Sequence, residues 1–148
     1  MLWPDLGKTL GDIPWAVIRG VATRHYMPER AMQDLEVLVH RASSHLVNET
    51  LAAAGYARIA ELKISGATWQ TAGGVYVDIV ESGDPWVPEA LAQATANRDL
   101  QGLPILPIEY LVLMKFQAGR AQDLADISRM LGLATDDQRD SVRRVFLQ

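Results

Sequence analysis

The sequence predicts one α/β (α+β) domain, a mixed sheet flanked by helices and completed by a helical C-terminal third. Three observations carry that expectation. Short apolar segments of strand type recur between about residues 15 and 106, with turn residues between them. About residues 107–148 carry helical patterns with recognisable starts and stops. No repeat, low-complexity tract or long linker divides the 148 residues, so residues 1–148 read as a single domain. A chain of this length buries roughly 70% of the surface it exposes when unfolded, enough for a real core.

The elements follow in order. Pro4 suits the first turn of a short helix over residues 4–11. Trp15 to Ile18 is an apolar strand ending at Arg19-Gly20, and Val21 to Tyr26 begin a helix from that glycine. Met27 to Arg30 form a loop. Leu35, Val37 and Val39 alternate with Asp34, Glu36 and Leu38, the pattern of a half-buried strand. Residues 42–54 form a helix, capped by Ser43-Ser44 at its start and by Gly55 at its end. Ala57 to Ile64 and Ala67 to Thr71 are strands, and Ala72-Gly73-Gly74 turns the chain into a third, Val75 to Val80. Asp84-Pro85 breaks the chain before a helix at 87–96, and Leu103 to Leu106 is a short strand. Pro107 opens a helix to about Ala118, and a second spans about 121–131 before Gly132. Thr135-Asp136-Asp137-Gln138 is a capping box opening the terminal helix.

Composition excludes several classes. Without cysteine there is no disulfide scaffold, zinc ribbon or thiol nucleophile. A net charge of −4 argues against a large nucleic-acid footprint. No secretory signal opens the chain, and its most apolar stretch, Leu103 to Met114, is too short to span a bilayer, so a cytoplasmic protein without membrane contact is expected. His25, His40 and His45 lack zinc-ligand spacing, and no Walker loop or nucleophile elbow occurs. Trp3, Trp15, Trp69 and Trp86 read as core or interface aromatics, and exposed tryptophans would favour a homodimer.

The placement of acids is more informative. Asp34 and Glu36, two apart on a strand, point to one face, with Leu35 and Val37 on the other. Asp78 projects opposite Val77 and Ile79 on a later strand. Crowded carboxylates on apolar strands repel one another, and a divalent cation removes that cost. Magnesium (or manganese), a hard ion that takes carboxylate oxygens and keeps positions for phosphate, suits them. A helix starting at Gly20 adds N–H groups and a positive dipole end for an anion. The two features together point to a metal–nucleotide site.

Ordered along the chain, Ile18-Arg19-Gly20-Val21-Ala22, the acids Asp34 and Glu36, and Tyr76-Val77-Asp78-Ile79-Val80 resemble the motifs of the nucleotidyltransferase superfamily with the polymerase-beta-like fold. The small single-domain members linked to abortive infection and toxin–antitoxin systems are the most similar. Thirteen residues separate Gly20 from Asp34, within the family's range, and Arg30 matches an arginine of that loop. The proline-started helix at Pro107, with Lys115, Arg120, Asp123 and Asp126, is also similar to these proteins. The resemblance implies a nucleotidyltransferase-type sheet and transfer of a nucleoside monophosphate from an NTP to a hydroxyl of a protein, RNA end or small molecule. It implies Asp34, Glu36 and Asp78 as metal ligands and catalytic acids, with Asp78 also helping to deprotonate the acceptor. Arg19, Gly20, Arg30 and Lys115 are then the nucleotide-binding set. The turn departs from the family in carrying Arg19 where the first glycine usually stands. That arginine either narrows the phosphate approach or itself contacts phosphate, so a catalytically inactive binding protein of a toxin–antitoxin pair is the alternative. Among the helical residues, Arg120 and Asp123 read as an intrahelical ion pair, and Asp126 as a pin between helix and sheet.

Overall fold

The computed structural model describes residues 3–4, 6–18, 22, 26 and 35–147. Their five strands form one sheet in the order β1-β2-β5-β4-β3: β1 Ala16–Ile18, β2 Leu35–His40, β3 Ala57–Glu61, β4 Gly66–Gln70 and β5 Tyr76–Ser82. Only β2 and β5 run parallel, and the other pairs are antiparallel. The described helices are α1 Leu6–Leu10, α2 Ser44–Ala53, α3 Val87–Ala94, α4 Ile108–Ala118, α5 Ala121–Leu133 and α6 Asp136–Phe146. Ala22 and Tyr26 also have helical backbone. The expected mixed sheet with a helical C-terminal third is therefore present.

Strand periodicity sorts the side chains. Leu35, Val37 and Val39 share one face with Val77, Ile79, Ala67 and Trp69, and all are buried. Ser44, at the start of α2, donates its hydroxyl to Glu81 at 2.7 Å, which lies on this face. The opposite face is not simply solvent-facing. Leu38 and Val80 are also buried, so the centre of the sheet is covered on both sides. On that face the half-buried positions toward the strand starts are Glu36 and Asp78. The expected half-buried alternation in β2 thus fails at Leu38, because β2 is an interior strand.

Other boundaries moved for local reasons. Leu103 to Leu106 makes a parallel bridge at Ile105 to Val17 rather than a full strand. Pro104 and Pro107 have no N–H to donate, so the ladder stops after Val17 N–H bonds to the Pro104 carbonyl (2.8 Å) and Leu106 N–H to the Val17 carbonyl (3.0 Å). A 3₁₀ turn over Arg41–Ser43 precedes α2, and Ser43 makes no side-chain cap, contrary to expectation. Helix α5 runs through Gly132, while α6 opens on the expected reciprocal Thr135–Gln138 capping box.

The tryptophans belong to the molecule's own packing. Trp3, Trp15 and Trp69 are buried, and Trp86 is half-buried and stacks on Tyr110 with ring centres 5.5 Å apart, joining α3 to α4. Expectation of a dimer through exposed tryptophans loses its basis. Among the described residues, no helix is long and apolar enough to cross a membrane.

Two glycines separate conformational from steric constraint. Gly66 begins β4 at φ +121, and a Cβ there would stand 1.9 Å from the Ile79 carbonyl oxygen of β5. Gly55 ends the turn after α2 at φ +89, with open space around it. Gly55→Ala should therefore cost only the left-handed backbone term, about 1–2 kcal/mol. Gly66→Ala adds a backbone clash within the sheet and should cost about 3 kcal/mol or more. Urea denaturation of the two variants checks the difference.

Candidate active site

The parallel pairing of β2 with β5 sets Glu36 directly beside Asp78. Neighbouring strands lie about 4.8 Å apart, and register partners project to the same face. Two half-buried carboxylates thus share one side of the sheet although 41 residues separate them in the chain. On the outer flank of Asp78, β4 contributes Thr68, its register partner. The Thr68 hydroxyl donates to Asp78 Oδ1 at 2.5 Å, which orients the carboxylate. On the outer flank of Glu36, β1 contributes buried Ile18 as an apolar wall.

The donor set fits a hard divalent cation: two carboxylates on adjacent strands, one of them held in a fixed orientation. Among the described residues, no group of three or more His, Cys, Asp or Glu side chains is placed to hold a metal ion. Asp34, the third expected acid, lies outside the described residues, as do Arg19, Gly20 and Arg30 of the expected nucleotide-binding set and His25.

Lys115, the one described residue of the expected nucleotide-binding set, lies on the C-terminal helices. Gly119, at φ +66, ends α4 by donating its N–H to the Lys115 carbonyl. Arg120 is already extended and opens α5, so the helices meet at a two-residue corner. Lys115 on α4 and Asp123 and Asp126 on α5 are buried. Lys115 Nζ lies 3.0 Å from Asp126 Oδ2 and 3.8 Å from Asp123 Oδ1. Gln122 Nε2 donates to the other oxygen of Asp126 at 2.8 Å. Asp126 thereby joins α5 to α4.

Asp123 has a second cationic partner. Arg120 Nε donates to its Oδ2 at 2.7 Å, and Arg120 backbone N–H to the same oxygen at 3.2 Å. Burial works against ionisation of Asp123. The hydrogen bonds and charge of Arg120, with Lys115 behind it, outweigh burial and hold the carboxyl below the usual carboxylate range. Arg120 is pushed upward by its hydrogen bond to Asp123, then by that carboxylate's charge, with a further contribution from Glu36.

Tyr26 is bound to the chain ahead of α4. Its hydroxyl donates to the Leu106 carbonyl at 3.1 Å and accepts from Asn97 Nδ2 at 2.9 Å. Burial pushes its pKa up to about 12 against the opposing effect of Asn97, so it stays a neutral structural group.

Sequence reasoning placed Glu36 and Asp78 together but missed Thr68. Its one signal was an alternating position between inward-facing Ala67 and Trp69, and the partner strand was not identifiable from that. Arg120 reads from the sequence as half of an intrahelical pair within the run that resembles the family.

No protein-family model matches the chain, and no curated protein matches it. Among solved structures, the solution structure of the antibiotic-resistance factor ANT(2'')-Ia aligns with 91% of this chain and 82% of its own. Its TM-score is 0.58 at 12% identity. The crystal structure of ANT(2'')-Ia in complex with adenylyl-2''-tobramycin aligns with 90% of this chain and 87% of its own, at a TM-score of 0.49 and 9% identity. ANT(2'')-Ia has the polymerase-beta-like nucleotidyltransferase fold. This chain has the same fold. The nucleotidyltransferase fold expected from the order of the motifs is therefore the one adopted.

The buried cluster generates two predictions. Asp126→Ala leaves Lys115 buried without its nearest counter-charge and should destabilise the protein by about 3–5 kcal/mol in urea denaturation. Asp123 has a folded pKa below its unfolded value, so its stabilisation is complete above about pH 4. That stabilisation is lost as the pH falls through the folded value. Asp123→Asn should flatten the acid-side loss of stability between about pH 4 and pH 2, measured by urea midpoints across that range.

Proposed function

We propose that this protein is a metal-dependent nucleotidyltransferase that moves a nucleoside monophosphate from an NTP to a hydroxyl acceptor. The observation that carries the reading is Glu36 beside Asp78 on adjacent parallel strands of a nucleotidyltransferase fold. In this reading Asp34, Glu36 and Asp78 hold magnesium or manganese. Bound there, the ion would supply Lewis-acid stabilisation of the charge that develops on the phosphoryl group and leaving pyrophosphate.

The chain's own residues have distinct parts in that scheme. The acceptor oxygen attacks the α-phosphorus, its proton passes to an oxygen of Asp78, and pyrophosphate departs. Thr68, donating to Asp78 Oδ1, fixes which oxygen faces the acceptor. Gly20 N–H groups, Arg19 and Arg30 receive phosphate oxygens, and the buried Ile18 wall limits water beside Glu36. Lys115 contributes its charge from the helical cluster, where it is braced by Asp126. The acceptor class is a hydroxyl of a protein, an RNA end or a small molecule.

Incubation with labelled NTPs, magnesium and a panel of hydroxyl acceptors tests the reading. Asp78→Asn should lower transfer about a hundredfold or more with an unchanged circular dichroism spectrum. Thr68→Val should lower it about tenfold through loss of carboxylate orientation. Transfer by Asp78→Asn at the wild-type rate would remove the site assignment.

A further inference from the structure

The two edges of the sheet are finished differently. At the β1 edge, the chain from Pro104 to Leu106 bonds to Val17 and covers the outer side of the strand. At the other edge, β3 has β4 on one side and no described strand on the other. All five of its residues, Ala57–Glu61, are exposed. Successive side chains of a strand point to opposite faces, so neither face of β3 belongs to the core. The outward N–H and C=O groups of such a strand are a template on which another strand can add.

Exposed edges are guarded by lysines, by proline or by bulges that bend the strand away. In β3 there is no proline, the two charges are opposite in sign, and the bulge gives those charges a particular spacing. Arg58 faces Trp69, Ala60 faces Thr68 and Glu61 faces Ala67, so Ile59 is an extra residue without a register partner on β4. Measured along β4, Arg58 and Glu61 therefore stand two positions apart, one on each side of Ala60. An even separation puts them on one face, and they lie 3.7 Å apart as a loose, exposed ion pair.

That spacing is self-complementary about Ala60. When two identical strands run antiparallel about a two-fold axis through Ala60, each Arg58 stands opposite the Glu61 of the other copy. Ala57 then faces the other copy's Leu62, and the small Ala60 meets itself at the axis. An axis one position to either side would set Arg58 against Arg58 or Glu61 against Glu61. Without the bulge the two charges would lie on opposite faces and could not oppose each other in this way.

We propose that two copies of this chain associate through β3, edge to edge and antiparallel about Ala60. Two reciprocal Arg58–Glu61 ion pairs then fix the register and join the five-stranded sheets into one. Glu36 and Asp78 lie on inner strands and take no part in the contact, so the inference does not rest on the proposed chemistry.

Sedimentation velocity of the 148-residue chain at low salt, from about 10 µM to about 1 mM, tests it. A reversible monomer–dimer equilibrium is expected. Arg58→Glu and Glu61→Arg each oppose like charges twice across the axis, and each should weaken the dimer about tenfold. Mixed in equal amounts, the two variants should form a heterodimer at about the wild-type affinity, because every cross-strand pair again joins opposite signs. The ion pair within each strand stays broken in that mixture, so recovery reports contact between copies. Circular dichroism spectra matching wild type keep folding out of the comparison. Without any variant, the β3 amides should exchange hydrogen more slowly at high protein concentration than at low. A wild-type chain that stays monomeric to about 1 mM, a dimer that neither variant weakens, or a mixture no tighter than its components would overturn the proposal.

Discussion

Everything in the candidate site depends on one pairing, the parallel register that sets Glu36 of β2 beside Asp78 of β5. Parallel neighbours cannot be joined by a tight turn, so the chain must leave the sheet between them. It does so through α2 and the β3–β4 hairpin, and β4 returns along the free side of β5. The detour has a chemical product: Thr68 arrives against Asp78 and orients it. It also imposes a cost in tolerance, because β4 enters so close to β5 that Gly66 has no room for a side chain. The like-charge pair is acceptable because it sits where burial is incomplete. One step further along the same face, Leu38 and Val80 are buried, and carboxylates there would have no access to water or a cation.

The helical third holds its cations in a set order. Lys115 is inside and paired with Asp126, Asp123 is inside and shared, and Arg120 is outside. A lysine in the outer position would be a mobile point charge. An arginine clamped through Nε keeps its direction. Glu36 and Asp78, with 41 residues between them, come together by topology rather than by any local motif.

How much of this was legible follows from the range of the interactions. Local chemistry was visible: the Thr135–Gln138 box, the left-handed glycines, and the two-residue alternation that put Glu36 and Asp78 on sheet faces. The mixed α/β fold was visible as well, because the order of strand and helix patterns survives without knowledge of their contacts. Thr68 was invisible because antiparallel pairing to β5 gives a lone threonine its meaning. Leu38 was misjudged because alternation reports one covered face, whereas an interior strand here is covered on two. The strand at Leu103 to Leu106 was overstated because apolar character was weighed above the missing proline donors. Lys115 entered through the family resemblance, and its Asp126 partner lies on the next helix, across a corner that sequence spacing does not orient.

The most direct test of the account is a crystal structure of the protein grown with manganese and a non-hydrolysable ATP analogue, with data collected at the manganese absorption edge. The account predicts an anomalous peak between Glu36 and Asp78, within about 2.0–2.3 Å of a carboxylate oxygen of each, with the triphosphate bound against it. An analogue bound elsewhere on the molecule, or ordered manganese that touches neither carboxylate, would contradict it.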